Sequence, residues 1–179
     1  MLSRLIRLPE RLTDGVVTLD QHRLGDAPMV AAGEDAEIGR RFDGGRPATA
    51  ALAEAFIRQY IERRAAGGPE VTYALRLPDE SLIGGVEVRR PRVECADFGY
   101  WVYPQFRGHG YARRGLLLLC EAVASALAGL AELSVHIETD NLASLRTAEA
   151  AGFHSVGSVI ENGITRLRLV RRLEPNLGK

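Results

Sequence analysis

Apolar residues recur along this chain with two periods, and the switches between them lay out the elements. Val71, Tyr73, Leu75 and Leu77 stand at every second position, the period of a strand with one buried face. After the turn residues Pro78, Asp79, Glu80 and Ser81, Val86 and Val88 alternate with Glu87 and Arg89 over a return strand at 82–90, which Pro91 ends. Residues 96–103 are mostly aromatic and apolar, so 71–103 reads as a three-strand antiparallel meander. From Tyr111 the period changes: Ala112, Leu116, Leu119, Val123 and Leu127 have helical spacing. Leu133, Val135 and Ile137 return to a strand, 141–151 is a short helix closed by Gly152, and 154–160 with 165–172 is a hairpin around Asn162-Gly163.

Upstream, residues 16–19 form a short strand after Asp14-Gly15, and 26–32 and 35–42 are short helices. The longest early helix is expected at 47–66, with Ala51, Ala55, Ile57, Tyr60 and Ile61 on its apolar face and Gly67-Gly68 as its stop. The order strands, helix, strand, helix, strands predicts an α/β (α+β) single domain. Its central sheet is mixed, with a right-handed parallel crossover around the helix at 111–128. The expected limits are a tail or edge element at 1–15, the domain at 16–172 and a flexible tail at 173–179.

A length of 179 residues suits one domain with a sizeable core. Lys+Arg and Asp+Glu are both 23, so the balance lacks the basic excess of a nucleic-acid binder. No apolar run is long enough for a membrane span, and Arg4, Arg7 and Arg11 interrupt any signal core. Two cysteines, Cys95 and Cys120, make no disulfide framework, which fits a reducing cytoplasm, and the four histidines have no metal-ligand spacing.

The candidate chemistry gathers where the third strand meets the long helix. Tyr100-Trp101-Val102-Tyr103 runs into Pro104-Gln105-Phe106-Arg107-Gly108-His109-Gly110, which opens the helix at Tyr111. The first amides of a helix have no partner within it and favour an anion. Glycines let a ligand approach the backbone closely. Arg107, Arg113 and Arg114 stand where the helix dipole disfavours positive charge, and a phosphate group would reconcile the two. A dinucleotide fingerprint would need a third glycine where Arg113 stands, so a nicotinamide-dependent dehydrogenase is excluded. A P-loop would need Gly-Lys-Ser/Thr, which is absent.

Gln105 to Gly110 resembles the Gln/Arg-x-x-Gly-x-Gly/Ala acyl-CoA loop of the GCN5-related N-acetyltransferases, the GNAT family. Asn141-Leu142-Ala143-Ser144 followed by Ala151-Gly152-Phe153 resembles that family's next landmark, an Asn-x-x-Ser helix ending in Gly-Phe. The pair, in this order, is most similar to the branch that acetylates ribosomal-protein N-terminal amines.

The resemblance implies acetyl-CoA as cosubstrate and an amine as acceptor, either a protein N-terminus or a small molecule, in a monomer or homodimer. It implies two splayed parallel strands with pantetheine between them, beside the backbone of Trp101, Val102 and Tyr103, and helices on both faces. Pyrophosphate would meet Gln105 and the amides of Arg107, Gly108, His109, Gly110, Tyr111 and Ala112, with Arg113 as a further cation. Asn141 and Ser144 would face the cofactor. Many relatives carry a tyrosine seven residues after that asparagine, to protonate the leaving thiolate. Here that position is Ala148, so Ser144 is the candidate in its place. Glu87 is the candidate carboxylate base, with Asp97 and Glu138 as further candidates, and His136 shares a face with Glu138 and would line the cleft. The missing tyrosine also admits a second reading, a non-catalytic acyl-CoA-binding module.

Overall fold

The computed structural model describes residues 7–42, 45–46, 48–89 and 94–173. It contains an eight-stranded sheet in the order β1-β2-β3-β4-β5-β6-β8-β7. The strands are β1 (Leu12–Thr13), β2 (Thr18–Asp20), β3 (Glu70–Arg76), β4 (Leu82–Arg89), β5 (Cys95–Val102), β6 (Glu132–Glu138), β7 (His154–Glu161) and β8 (Ile164–Arg172). Among the described residues only β5 and β6 pair in parallel; every other neighbouring pair is antiparallel. The expected meander is present, and β1 extends the sheet into the segment expected to be a tail or edge. Pro47, Pro91 and the residues after Leu173 lie outside the described residues.

One face of the sheet is covered by α4 (Tyr111–Ala126) and α5 (Leu142–Ala150). Helix α4 turns Leu116, Leu119, Cys120 and Val123 into a core with Leu19, Tyr73, Leu75, Val86, Phe98, Val135 and Leu169. Each fully buried aliphatic side chain there contributes about 1.5–3 kcal/mol. Gly115 lets the helix sit close, since a Cβ there would lie 2.9 Å from Val86 Cγ2. The Asn162-Gly163 turn has φ of 51° and 77°, both positive as a two-residue hairpin loop requires.

The opposite face carries α1 (Ala27–Gly33), α2 (Ala36–Phe42) and α3 (Ala50–Ala66). Because helices cover both faces, β3 is buried on both. Thr72, Ala74 and Arg76 are enclosed as well as Val71, Tyr73 and Leu75, where strict alternation predicts one wet face. The face of α3 also differs from expectation. Ala53 and Ile57 are buried while Ala51 and Ala55 are exposed, because an alanine-rich helix has little asymmetry to mark its inner side. Its start is marked by Thr49, whose side chain accepts from the Leu52 amide at 3.2 Å, a cap worth about 1 kcal/mol.

The start of α1 is tied to the sheet by charge. Arg76, 1% exposed, donates from Nε to Asp20 Oδ1 at 2.8 Å and from Nη2 to Asp26 Oδ2 at 2.6 Å. Asp26 Oδ2 also accepts from the Arg23 amide at 2.8 Å. The guanidinium thus joins β3, β2 and the 3-10 turn Leu24–Asp26 that leads into α1. At its other end α1 seats Gly33 on the Tyr103 ring, where a Cβ would be 2.6 Å from Cγ.

His22 lies beside this group, its Nδ1 3.9 Å from Asp26 Oδ2. Neither ring nitrogen has a hydrogen-bond partner among the described residues. Burial, partly opposed by Asp26, lowers its pKa from 6.5 to about 4. The unfolded chain therefore binds a proton that the fold rejects between those values. Stability is present above about pH 6.5 and declines as pH falls toward 4, by on the order of 3 kcal/mol from this group. Urea unfolding at pH 7 and pH 4.5 measures the difference. His22→Phe should flatten it, and an unchanged slope would assign the acid sensitivity elsewhere.

Candidate active site

The site begins where two strands part. β5 and β6 pair from Cys95↔Glu132 to Phe98↔Val135, and then run on unpaired to Val102 and Glu138. The Tyr103 amide donates to the Ile83 carbonyl at 2.9 Å, which turns it toward β4. Backbone groups alternate sides along a strand, so Trp101 also faces β4, while Tyr100 and Val102 face the gap. Of the three backbone positions singled out in the sequence, only Val102 therefore addresses the opening. Trp101 and Tyr103 contribute rings: Trp101 lies over Gly85 and 5.4 Å from Phe42, and Tyr103 is buried with Ile38, Ala74 and Leu82.

After β5, Pro104–Phe106 form a 3-10 turn that contains the exposed Gln105. The Arg107 amide donates to the Pro104 carbonyl at 3.2 Å, so it is spent inside the turn and is not one of the open donors. The run of open amides starts one residue later. Gly108, His109, Gly110, Tyr111, Ala112 and Arg113 have no backbone acceptor among the described residues. Gly108 and Gly110 have φ of 82° and 76°, which glycine adopts without strain, and a Cβ at either would meet nothing within 4 Å. The loop is thus set by backbone conformation and opens outward.

The loop's charged side chains differ in their engagements. Arg107 turns away from the amides, donating from Nε to the Val102 carbonyl at 3.0 Å and from Nη1 to Asp35 Oδ2 at 2.8 Å. Arg114 pairs with Asp14 at 2.8 Å, and Arg113 is exposed at the helix end. His109 stacks on Tyr111, and its Nδ1 lies 2.9 Å from the Arg107 carbonyl. Carbonyls only accept, so that nitrogen carries the proton and the ring braces the loop.

A cleft of about 400 Å3 reaches from the gap across the α1–α3 face. Glu87, Trp101, His136, Asn141 and Ser144 are among the residues that line it. Glu87 pairs in register with Gly99, where a Cβ would lie 2.7 Å from Oε1, so the glycine makes room for the carboxyl. Desolvation raises the pKa of Glu87 above the ordinary carboxylate range, with Arg89 at 3.7 Å opposing the shift. Asn141 caps α5, its Oδ1 accepting from the Ser144 amide at 3.1 Å.

The other acids named from sequence are differently engaged. Asp97 accepts from the Ser134 hydroxyl below the gap. Glu138 Oε2 accepts from Arg40 and Arg41 at 2.8 and 2.7 Å, which fastens α2 to β6. His136 Nδ1 lies 2.7 Å from Glu161 Oε1, while its Nε2 is buried without a partner among the described residues. Ala148 packs in the main core, so a side chain grown from it would enter the core before it reached the cleft. Cys120 is buried too, and desolvation pushes its thiol up to about 12.

Sequence patterns give no sign of two participants. Tyr100 places its hydroxyl against Ser144, and Glu161 reaches His136 from β7; both contacts cross between distant strands or helices. The spacing of Tyr100 in its strand announces a packing residue and carries no hint of the hydroxyl contact.

YycN of Bacillus subtilis (strain 168), an uncharacterised N-acetyltransferase, is 27% identical over 92 residues, which is 49% of this chain and 58% of that protein. The chain thus aligns with little more than half of that relative's length. The structure superposes on RimL, a ribosomal L7/L12 alpha-N-protein acetyltransferase solved with coenzyme A, at a TM-score of 0.73 and 15% identity, covering 93% of this chain and 97% of RimL. It also superposes on the microcin C7 self-immunity acetyltransferase MccE, solved with acetyl-CoA and AMP, at a TM-score of 0.74 and 19% identity, covering 90% and 94%. These likenesses establish the fold. The GNAT acetyltransferase domain profile matches residues 17–154, most of the described sheet, and the chain therefore belongs to the GNAT acetyltransferase family.

Proposed function

We propose that this protein transfers the acetyl group of acetyl-CoA to a primary amine, by direct attack in a ternary complex. The observation that carries the reading is the opening between β5 and β6, with unbonded loop amides at one end and a desolvated carboxyl on its far side. Pyrophosphate suits the amides of Gly108 to Arg113. Pantetheine suits the strand edge at Val102. The thioester then lies near Tyr100 and Ser144, with Glu87 across Gly99 on the acceptor side. Relatives solved with coenzyme A or acetyl-CoA support the cosubstrate. RimL, which acts on a protein alpha-amine, supports an N-terminal amine as one acceptor class, with small amines as the other.

Each residue has a distinct task. Glu87 takes a proton from the incoming ammonium, and its raised pKa makes it a better match to that work at neutral pH. Ser144 meets the charge that develops on sulfur. No covalent enzyme intermediate is needed, and the protonated, buried Cys120 is unsuited to one.

Acetyl-CoA should raise the melting temperature well above the effect of NAD or ATP at equal concentration, and a panel of amines and peptides should release free thiol with at least one member. Equal stabilisation by NAD would overturn the reading. Stabilisation without thiol release from any amine would leave an acyl-CoA-binding module.

Gly110→Val forces a β-branched residue to a φ of 76° and fills the space beside the amides. Acetyl-CoA affinity should fall about tenfold or more, roughly 1.4 kcal/mol. Calorimetric titration of a variant with a wild-type CD spectrum decides it, and unchanged affinity would remove the loop from the site.

Glu87 acts only when ionised, so kcat/KM should rise with pH through its pKa, and the acid limb should lie above the ordinary carboxylate range. In Glu87→Gln that limb should vanish and kcat should fall about 100-fold. Stability moves the other way. A carboxyl with a raised folded pKa weakens the fold increasingly as pH rises above its unfolded value, so Glu87→Gln should be the more stable protein at pH 7. Retention of the acid limb in Glu87→Gln would assign the proton to another group.

A further inference from the structure

Tyr100 makes two hydrogen bonds to a single residue. Its hydroxyl donates to the Ser144 carbonyl at 2.8 Å and accepts from Ser144 Oγ at 2.9 Å. A phenol has one proton to give. With that proton on the carbonyl, the Ser144 proton rests against the phenolic oxygen. Asn141 holds the Ser144 amide from the N-cap of α5, so the serine is fixed both by its own helix cap and by β5. Asn141, Tyr100 and Ser144 all line the cleft, and Tyr100 belongs to the part of β5 that has left β6. Tyr100 thus bridges the gap at the depth where the thioester is expected.

We propose that Tyr100 is the positioning residue for the leaving group: it holds Ser144 Oγ at the gap, and when its own proton swings from the Ser144 carbonyl to Ser144 Oγ it frees the serine proton for the thioester sulfur and replaces it. The inference rests on the acetyl-transfer reading. The amine nitrogen bonds to the acetyl carbon, the C–S bond breaks, and its electron pair goes to sulfur. Sulfur takes the Ser144 proton, the Ser144 oxygen takes the phenolic proton, and water in the cleft reprotonates the phenolate. An ammonium acceptor loses two protons from nitrogen, both by way of Glu87 to solvent. With one proton returned to sulfur, one is released per turnover. A phenol is a far better proton source than an aliphatic alcohol, even with the Tyr100 hydroxyl pushed by burial up to about 12. The two hydroxyls polarise one another once they point the same way along the chain Tyr100, Ser144, sulfur.

The test uses Tyr100→Phe, which keeps the ring in β5 and removes the hydroxyl, with Ser144→Ala and the double variant. The first measurement needs no acceptor amine. Each protein is saturated with coenzyme A, and the bound thiol is titrated by its thiolate absorbance. Donors on sulfur favour the thiolate, so the wild-type equilibrium should lie about threefold or more toward thiolate compared with Tyr100→Phe. The double variant should match the worse single variant, because the pair acts as one unit. The second measurement is kinetic. With an amine acceptor, Tyr100→Phe should lower kcat about tenfold while acetyl-CoA affinity stays within about threefold, and the double variant should be no slower than the slower single one. An identical thiol titration in wild type and Tyr100→Phe, or losses that multiply in the double variant, would overturn the proposal. Failure of the wild type to bind coenzyme A would instead overturn the acetyl-transfer reading, and this inference with it.

Discussion

A parallel pair of strands holds together only as far as its slanted ladder runs, and here the ladder between β5 and β6 ends at Phe98 and Val135. Beyond that rung the sheet has an internal edge. Edges elsewhere in a fold are a hazard, since they offer unpaired backbone to any passing strand. This one is enclosed by helices on both faces and lined on one side by Glu87 and on the other by Tyr100 and Ser144. The glycine loop stands at the end of the same strand, so the open amides and the open edge belong to one surface. Moving the last rung by even one residue would change which backbone groups face the gap, because the alternation has a period of two.

Local order and the pairing of strands that follow one another in the chain were legible in the residues, and side-chain contacts between distant segments were not. The strand and helix periods, the Asn141 cap, the Asn162-Gly163 turn and the glycine loop are all set by neighbours within a few positions, and each stands where its pattern places it. The errors arise where distant segments meet. Alternation in β3 implied a wet face that α1–α3 cover. The Arg107 amide looked open until the 3-10 turn claimed it. Glu87 was a candidate base by its place on β4 alone, and only its register with Gly99 and the helices above it make it a desolvated carboxyl. The bond between Tyr100 and Ser144 spans 44 positions, a distance over which periodicity carries no information.

Two groups with displaced titration, Glu87 and His22, line the cleft. Glu87 is held toward its neutral form and His22 is held neutral, both by exclusion of water. Both nitrogens of His22, Tyr103 Oη and His136 Nε2 line this cleft, and all are buried without a hydrogen-bond partner among the described residues. Sites that must desolvate a substrate commonly carry this debt, since polar groups already matched within the protein have nothing left to offer a ligand.

The buried guanidinium of Arg76 carries a different implication, one of inheritance. Two carboxylates on separate segments, Asp20 and Asp26, close on it at 2.8 and 2.6 Å. Loss of either acid leaves the buried guanidinium short of one partner, and loss of the arginine leaves Asp26 without its cation while Asp20 keeps Arg23 at 2.7 Å. Any single exchange is therefore worse than a coordinated one, and a well-packed apolar trio could replace all three with little harm. These positions form a linked block of the sequence: a lineage that departs from it must change several residues together, and intermediates with one substitution stand in an energetic valley. Because the same block sets the start of α1, and α1 seats Gly33 against Tyr103 at the cleft, a drift in three buried charges would be felt in how the cleft is shaped.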